Sequence, residues 1–189
     1  MSELVEIVTK DNKPIGVGER ETVHQLGLHH RAVCVILMDK EGRILVQRRG
    51  EKKRICPLFW DLSVGEHLRP GEHYKDAALR GLKEELNVDS DDIVLIKIRG
   101  PHLQEHEYLD GKLKDREIIE LYLAIVKGDI TIEKSEEISD AKFMTIDEIE
   151  ELRDKGKLTP WFTEELEWIK KNKVLEKVQK MAKELCKLS

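Results

Sequence analysis

The longest uninterrupted apolar run in the chain, Ala32 to Met38, is seven residues long, with Arg31 before it and Asp39-Lys40-Glu41-Gly42 after it. A membrane-crossing helix needs about 20 apolar residues, so the run is far too short to span a bilayer. Rich in β-branched residues and bounded by a turn, Arg31 to Met38 (RAVCVILM) reads instead as a buried strand. Arg43 to Arg49 (RILVQRR) resumes as an alternating strand, and the two form a hairpin in a central sheet.

The rest of the chain supplies the layers around that hairpin. Glu3 to Thr9 is rich in β-formers and precedes the turn-like Asp11-Asn12-Lys13-Pro14, which predicts a short strand and hairpin. Glu51 to Phe59 reads as a basic loop. His73 to Leu86 carries apolar residues at 74, 78, 79, 82 and 86, a helical spacing. Ile93 to Ile98 and Glu117 to Val126 read as strands, and Pro101 to Lys114 as a recognition loop. Thr145 with Glu148 three positions on forms a capping box, and Ile146, Ile149 and Leu152 give the helix behind it an inner face. Pro160 opens a last helical region, where Val174, Val178, Met181, Leu185 and Leu188 recur at steps of four and three opposite a lysine-rich face. That stripe packs on the domain's own sheet, or the helix forms the seam of a homodimer or a surface for an acidic partner. The order predicts an α+β fold, a mixed sheet with helices packed on its faces.

Composition narrows the class. Of 189 residues 40% are hydrophobic and 38% charged, with 12 Gly and 5 Pro, which disfavours disorder and disulfide-built miniproteins. The net charge of −5 has the wrong sign for a chain that lives on nucleic-acid phosphates, so no nucleic acid and no membrane are expected as partners. The N-terminal MSELVEIVTK lacks the pattern of a secretory signal. Cys34, Cys56 and Cys186 share no CxxC spacing and read as reduced thiols. A soluble protein with a cytoplasmic address is the expectation.

Chemistry concentrates in Gly65 to Val88, GEHLRPGEHYKDAALRGLKEELNV. A turn at Arg69-Pro70-Gly71 leads to Glu72 and then to a helix ending in Glu84-Glu85. Positions four apart share a helix face, so Arg80 lies beside Glu84 and Gly81 beside Glu85. Two adjacent carboxylates late in a helix, with a third just before its start, suit a hard divalent cation such as Mg²⁺, which prefers carboxylate oxygens and bridges to substrate phosphates. Taken alone a Glu-Glu pair is a solvated helix face; the surrounding pattern argues otherwise.

That pattern resembles the Nudix box: Gly, five residues, Glu, seven residues, then Arg-Glu-apolar-any-Glu-Glu-any-Gly-apolar. Glu72, Arg80, Leu82, Glu84, Glu85 and Val88 fall on its fixed positions. LGLHHRAVCVIL, GRILVQRR, the Trp60 segment and Thr159-Pro160-Trp161-Phe162 are similar to the branch of the Nudix superfamily that includes type 1 isopentenyl diphosphate isomerase and its hydrolase relatives. The resemblance implies a Nudix-type α/β/α sandwich over residues 1–165, with the box at 65–88, and a C-terminal helix over 166–189.

Three positions depart from the box. Glu66 stands where the first Gly is expected, Asn87 where the last Gly is, and Gly81 where the Glu after Arg is. Asn87 is mild, because Asn tolerates the left-handed helix C-cap. Gly81 removes what is a metal ligand in the family, and Glu66 is the candidate replacement carboxylate. Against the isomerase's Cys-Gly-His, this chain has Gly65-Glu66-His67, so the thiol position is Gly65 and the isomerase route is disfavoured.

The resemblance then implies roles. Glu84, Glu85, Glu72, His67 and Glu66 are the expected metal ligands, for Mg²⁺ or Mn²⁺. His24, His29 and His30 are weaker candidates, one of His29 and His30 lying near a second His ligand position. Glu85 and Glu120 are the expected catalytic carboxylates, with Glu136 and Glu137 as other candidate bases. Arg49 and Lys53 match positions that contact the diphosphate, where a guanidinium fork and a compact ammonium suit phosphate oxygens. The expected function is metal-dependent hydrolysis of a diphosphate linkage in a small, nucleoside-diphosphate-linked or other organic pyrophosphate. An isomerase relative is the first alternative. A pyrophosphate-binding or interaction module impaired by Gly81 is the second.

Overall fold

The computed structural model describes residues 3–128, 130, 132, 136–174, 176, 177 and 180. The fold is α+β with an open mixed sheet: its strand ladders with a defined register are antiparallel, and a bridge between Trp60 and Leu158 is parallel. The chain folds as two compact units, one of Met1–Val35, Val64–Glu85 and Lys97–Tyr122, the other of Ile36–Ser63, Leu86–Ile96 and Leu123–Ser189. Residues of β3 (His30–Met38), β7 (Ile93–Tyr108) and β8 (Leu113–Val126) belong in part to each unit.

In the first unit β1 (Leu4–Val8) pairs antiparallel with β2 (Pro14–Glu19), the hairpin expected from its turn residues, with a register shift at Ile7/Val8. Helix α1 (Arg20–Leu26) follows, a short element with no extended apolar period to announce it. It stops at Gly27, whose φ of 65° is left-handed. β1 meets β3 at Ile7 and His30, and β3 pairs along Ala32 to Val35 with β6 (Val64–His67). Helix α2 (Tyr74–Leu86) buries Ala78, Leu82 and Leu86 of the face its spacing predicts, leaves Tyr74 and Leu79 half-buried, and buries Ala77 besides. Asn87, next along the chain, takes φ 53°, the left-handed conformation expected of a C-cap.

The second unit is built on β4 (Ile44–Arg49), which joins the end of β3 at Met38 and Ile44 and pairs with β5 (Trp60–Asp61). On β4 also lies β9 (Ile138–Met144), a strand not foreseen in the sequence. Helix α3 (Ile146–Asp154) starts at the Thr145 capping box, with both reciprocal bonds made to Glu148. Helix α4 (Pro160–Lys171) begins on its proline and buries Phe162, Glu165, Leu166 and Ile169. The apolar stripe beyond it lies outside the described residues except at Val174. Among the described residues no helix is long and apolar enough to cross a membrane. Among the described residues Cys34 and Cys56 are not joined in a disulfide.

One reading needs correction. Residues 101–108 belong to β7 and 113–114 to β8, so the segment expected to be a recognition loop is mostly a strand pair. Its reversal is tight, through Leu109, Asp110 and Gly111 at φ 54°, 57° and 78°. Gly100-Pro101 and the polar His102-Leu103-Gln104-Glu105-His106 masked the strands, because backbone pairing holds this ribbon with little apolar burial.

Candidate active site and metal centres

Arg80 organises the carboxylates of the box, all within the first unit. Being on α2, it faces the turn before the helix and β6 together. Its Nε and Nη2 donate to the two oxygens of Glu72 at 2.9 and 3.0 Å, a bidentate fork. Its Nη1 donates to Glu66 at 2.7 Å and to Glu84 at 3.3 Å, and Nη2 also reaches the His67 carbonyl at 2.9 Å. Arg69 donates to the other oxygen of Glu84 at 3.1 Å, and its backbone N–H donates to Glu72 at 2.8 Å. Burial opposes ionisation of Glu72, but Arg80 and that N–H outweigh it and hold the carboxyl below its ordinary value. Glu66, Glu72 and Glu84 are therefore brought together, with the half-buried Glu85 next along the helix. Glu66, Glu72 and Glu84 against Arg80 and Arg69 leave one negative charge, and an all-oxygen donor set of this kind suits a hard divalent cation.

A second cluster involves His67. The ring of His24 lies 4.7 Å from that of His30 and 5.2 Å from that of His67, and His30 lies 5.1 Å from His67. One ligand atom from each of these rings and from Asp115 falls within 4.8 Å of the others. His24 and His30 are anchored alike, each through Nδ1 on a backbone carbonyl, whereas His67 sits between two carboxylates. Nδ1 of His24 lies 2.6 Å from the Arg20 carbonyl, Nδ1 of His30 3.0 Å from the Leu28 carbonyl, and Nδ1 of His67 3.5 Å from Glu3. A ring whose Nδ1–H is spent on an oxygen presents the Nε2 lone pair, the arrangement that orients metal-bound imidazoles. Nε2 of His30 is buried without a hydrogen bond, as is Oδ1 of Asp115, 3.7 Å away. Orphaned nitrogens facing a carboxylate fit a bound ion, and this nitrogen-rich set suits a transition ion such as Zn²⁺ better than Mg²⁺.

Glu117 closes the cluster, 3.1 Å from Nε2 of His67. Burial disfavours the imidazolium of His67, yet Glu117 and Glu3 overcome it and push its pKa up to about 9. His30 goes the other way: burial first, then the neighbouring charge of His67, takes it down to about 3. Glu3 is lowered to about 2, chiefly by its bond to His67. Sequence reasoning did not pick out Glu3, Asp115 or Glu117. The signal was the alternation of Asp115 and Glu117 in DREIIEL, which puts both on one face of β8. Glu120, one residue out of that parity, is buried and accepts from the Tyr122 hydroxyl at 2.8 Å and from Lys97 at 3.1 Å. His29 stands apart, 3.7 Å from Glu105.

The expected phosphate contacts lie in the second unit. Arg49 donates to Asp61 at 2.9 Å and to the Ile55 carbonyl at 3.2 Å, and its guanidinium lies 5.1 Å from the Trp161 ring centre. Asp61 also accepts from Thr159 at 2.9 Å and Trp161 at 2.6 Å, so Thr159 and Trp161 fix the carboxylate that fixes Arg49. Lys53 pairs with Glu137 at 2.9 Å and Lys52 with Glu136 at 3.0 Å, which ties the basic loop to the acidic segment before β9.

Known proteins resemble this chain in sequence and in fold. The profile of the NUDIX domain matches residues 28–162. An isopentenyl-diphosphate Delta-isomerase of Streptomyces avermitilis is 33% identical over 160 residues, covering 84% of this chain and 79% of its own length. A Nudix hydrolase of Pseudomonas aeruginosa is 31% identical over 144 residues, covering 76% and 79%. In structure, DR0079 of Deinococcus radiodurans superposes with a TM-score of 0.67 at 20% identity, over 89% of this chain and 98% of its own. The chain belongs to the NUDIX domain family. Membership supports hydrolysis of a pyrophosphate linkage in general terms, and the family works with a divalent metal.

Proposed function

We propose that the chain is a pyrophosphohydrolase that uses Mg²⁺ or Mn²⁺ to cleave the diphosphate of a small, nucleoside-diphosphate-linked or related organic compound. The observation that carries this reading is the acidic array of α2 and its preceding turn, drawn together by Arg80 and left with surplus negative charge. Glu72, Glu84 and Glu85 are the ligands. A bound divalent cation would neutralise the diphosphate and lower the pKa of a water molecule. Glu85 or Glu120 would take the proton, Glu120 being held by the Tyr122 hydroxyl and the Lys97 ammonium. Arg49 and Lys53 are proposed as diphosphate contacts, Arg49 preset by Asp61 and Lys53 released from Glu137 on binding. Cys34 and Cys56, not joined in a disulfide, fit a reducing, cytoplasmic setting.

The test is product release from nucleoside diphosphate sugars, dinucleotides and prenyl diphosphates with Mg²⁺ or Mn²⁺. No product across that panel sinks the proposal. Glu85→Gln is expected to lower kcat by about 10²-fold or more. Lys53→Ala is expected to raise KM with kcat little changed.

A second reading, an isomerase of isopentenyl diphosphate, is favoured by the imidazole cluster and the isomerase-named relative. Gly65, where the resemblance calls for a thiol, stands against it. Formation of dimethylallyl diphosphate from isopentenyl diphosphate would establish it in place of hydrolysis.

A further inference from the structure

The two departures from the box that bear most on its chemistry touch each other in the fold. A Cβ built on Gly81 would lie 2.7 Å from Cγ of Glu66 and 2.6 Å from Cγ1 of Val64, closer than non-bonded carbons approach. The Glu66 side chain, rising from β6, thus runs through the volume that any side chain at position 81 of α2 would fill. It delivers its carboxylate to Arg80 at 2.7 Å, beside Glu72 and Glu84.

We infer that positions 66 and 81 have exchanged roles, Glu66 supplying from the strand the cation-binding carboxylate that the box ordinarily carries on the helix, and Gly81 being the vacancy that admits it. The exchange rests on the reading that these carboxylates seat a divalent cation. Either substitution alone would change the site. A glutamate at 81 with Glu66 in place would collide, and a glycine at 66 with Gly81 in place would leave one carboxylate fewer. Together they conserve charge and position, and the metal site survives a box that looks broken in sequence. A purely structural Glu66 would need only an acceptor for Arg80, and an amide supplies one; a cation ligand needs the charge.

The test separates these roles by metal binding. Protein given one equivalent of Zn²⁺, which an imidazole set takes in preference to Mn²⁺, is titrated with Mn²⁺. The free-ion electron paramagnetic resonance signal reports binding, and an unfolding curve checks each variant. Glu66→Gln is expected to keep the wild-type unfolding temperature and to weaken Mn²⁺ binding about tenfold or more. Gly81→Glu alone is expected to unfold at lower temperature. The variant Val64→Ala/Glu66→Gly/Gly81→Glu, which clears both contacts and returns the carboxylate to α2, is expected to bind Mn²⁺ more tightly than Val64→Ala/Glu66→Gly. The exchange is overturned if Glu66→Gln binds Mn²⁺ like wild type, or if the triple variant folds and gains nothing over the double. Should the triple variant not fold, Glu66→Gln decides alone. A wild type that binds no Mn²⁺ and hydrolyses nothing overturns the hydrolase reading itself, a result distinct from either.

Discussion

At Arg80 a single guanidinium, 13% exposed, serves Glu66, Glu72 and Glu84. Removing it leaves partly buried carboxylates facing one another, a loss that approaches the breaking of a buried ion pair. Arg80→Ala should therefore cost about 2 kcal/mol, or roughly 4–8 °C in unfolding temperature for a chain of this size. Added Mg²⁺ should recover part of that loss, since a cation at the carboxylates replaces the missing charge; a variant as stable as wild type would show that the array is not under electrostatic stress. The histidines make the metal-free protein respond to pH in a defined sense. His67, raised from 6.5 to about 9, stabilises fully below pH 6.5, and that contribution fades as pH rises to 9. His30, lowered to about 3, remains neutral when folded, so stability also falls as pH drops from 6.5 toward 3. Chelator-treated protein should be most stable near pH 6.5, with limbs of up to about 1.4 kcal/mol per pH unit. His67→Gln should flatten the alkaline limb and His30→Gln the acid one, as urea titrations at several pH values would reveal. Glu66, Glu72, Glu84 and Glu85 were legible in the sequence because one helix and its adjoining turn and strand carry them. Among the partners of His67, His24 and His30 were legible only as weaker candidates, and Glu3, Asp115 and Glu117 not at all. Glu3, His24, His30 and Asp115 come from four separate segments, and only the pairing of β1, β3, β6 and β8 assembles them.

Among the elements, those announced by side-chain period or cap chemistry appear where the sequence puts them. Helix α2 has its buried face, α3 its capping box and α4 its opening proline. Those missed are held by other means. α1 has only seven residues, too few to display a period, and β9 (ISDAKFM) gains its place by pairing along β4. The outer part of the β7–β8 ribbon is polar and turns on backbone conformation. Two substitutions test the helix ends. Thr145→Ala removes the side-chain acceptor for the Glu148 N–H and should cost about 1 kcal/mol. Asn87→Ala puts a side chain without local hydrogen-bonding capacity at φ 53° and should cost about 1 kcal/mol, whereas Asn87→Gly should not destabilise. Thermal unfolding measures both, and losses well under half of these values would mean that tertiary packing alone sets those helix ends.

For the whole molecule, the two clusters differ in donor chemistry, and that difference predicts a selective response to metals. The His24, His30, His67 and Asp115 group offers nitrogens and one carboxylate, with Nε2 of His30 and Oδ1 of Asp115 among its atoms buried without a hydrogen bond. Each such atom carries a desolvation penalty of about 1–3 kcal/mol in the metal-free protein. An ion bound there relieves that penalty and binds only the folded chain, so it stabilises by mass action, about 2.7 kcal/mol at a hundredfold excess over Kd. Zn²⁺ added to chelator-treated protein should then raise the unfolding temperature by roughly 5–11 °C. His30→Ala should abolish that rise while leaving Mg²⁺-dependent activity at the all-oxygen carboxylate array of α2 largely intact. Glu84→Gln should do the reverse, lowering Mg²⁺-dependent turnover while leaving the Zn²⁺ shift in place. If His30→Ala removed both responses together, the imidazoles and the box carboxylates would be serving a single centre, and the hydrolytic role assigned to α2 would have to be shared with β8.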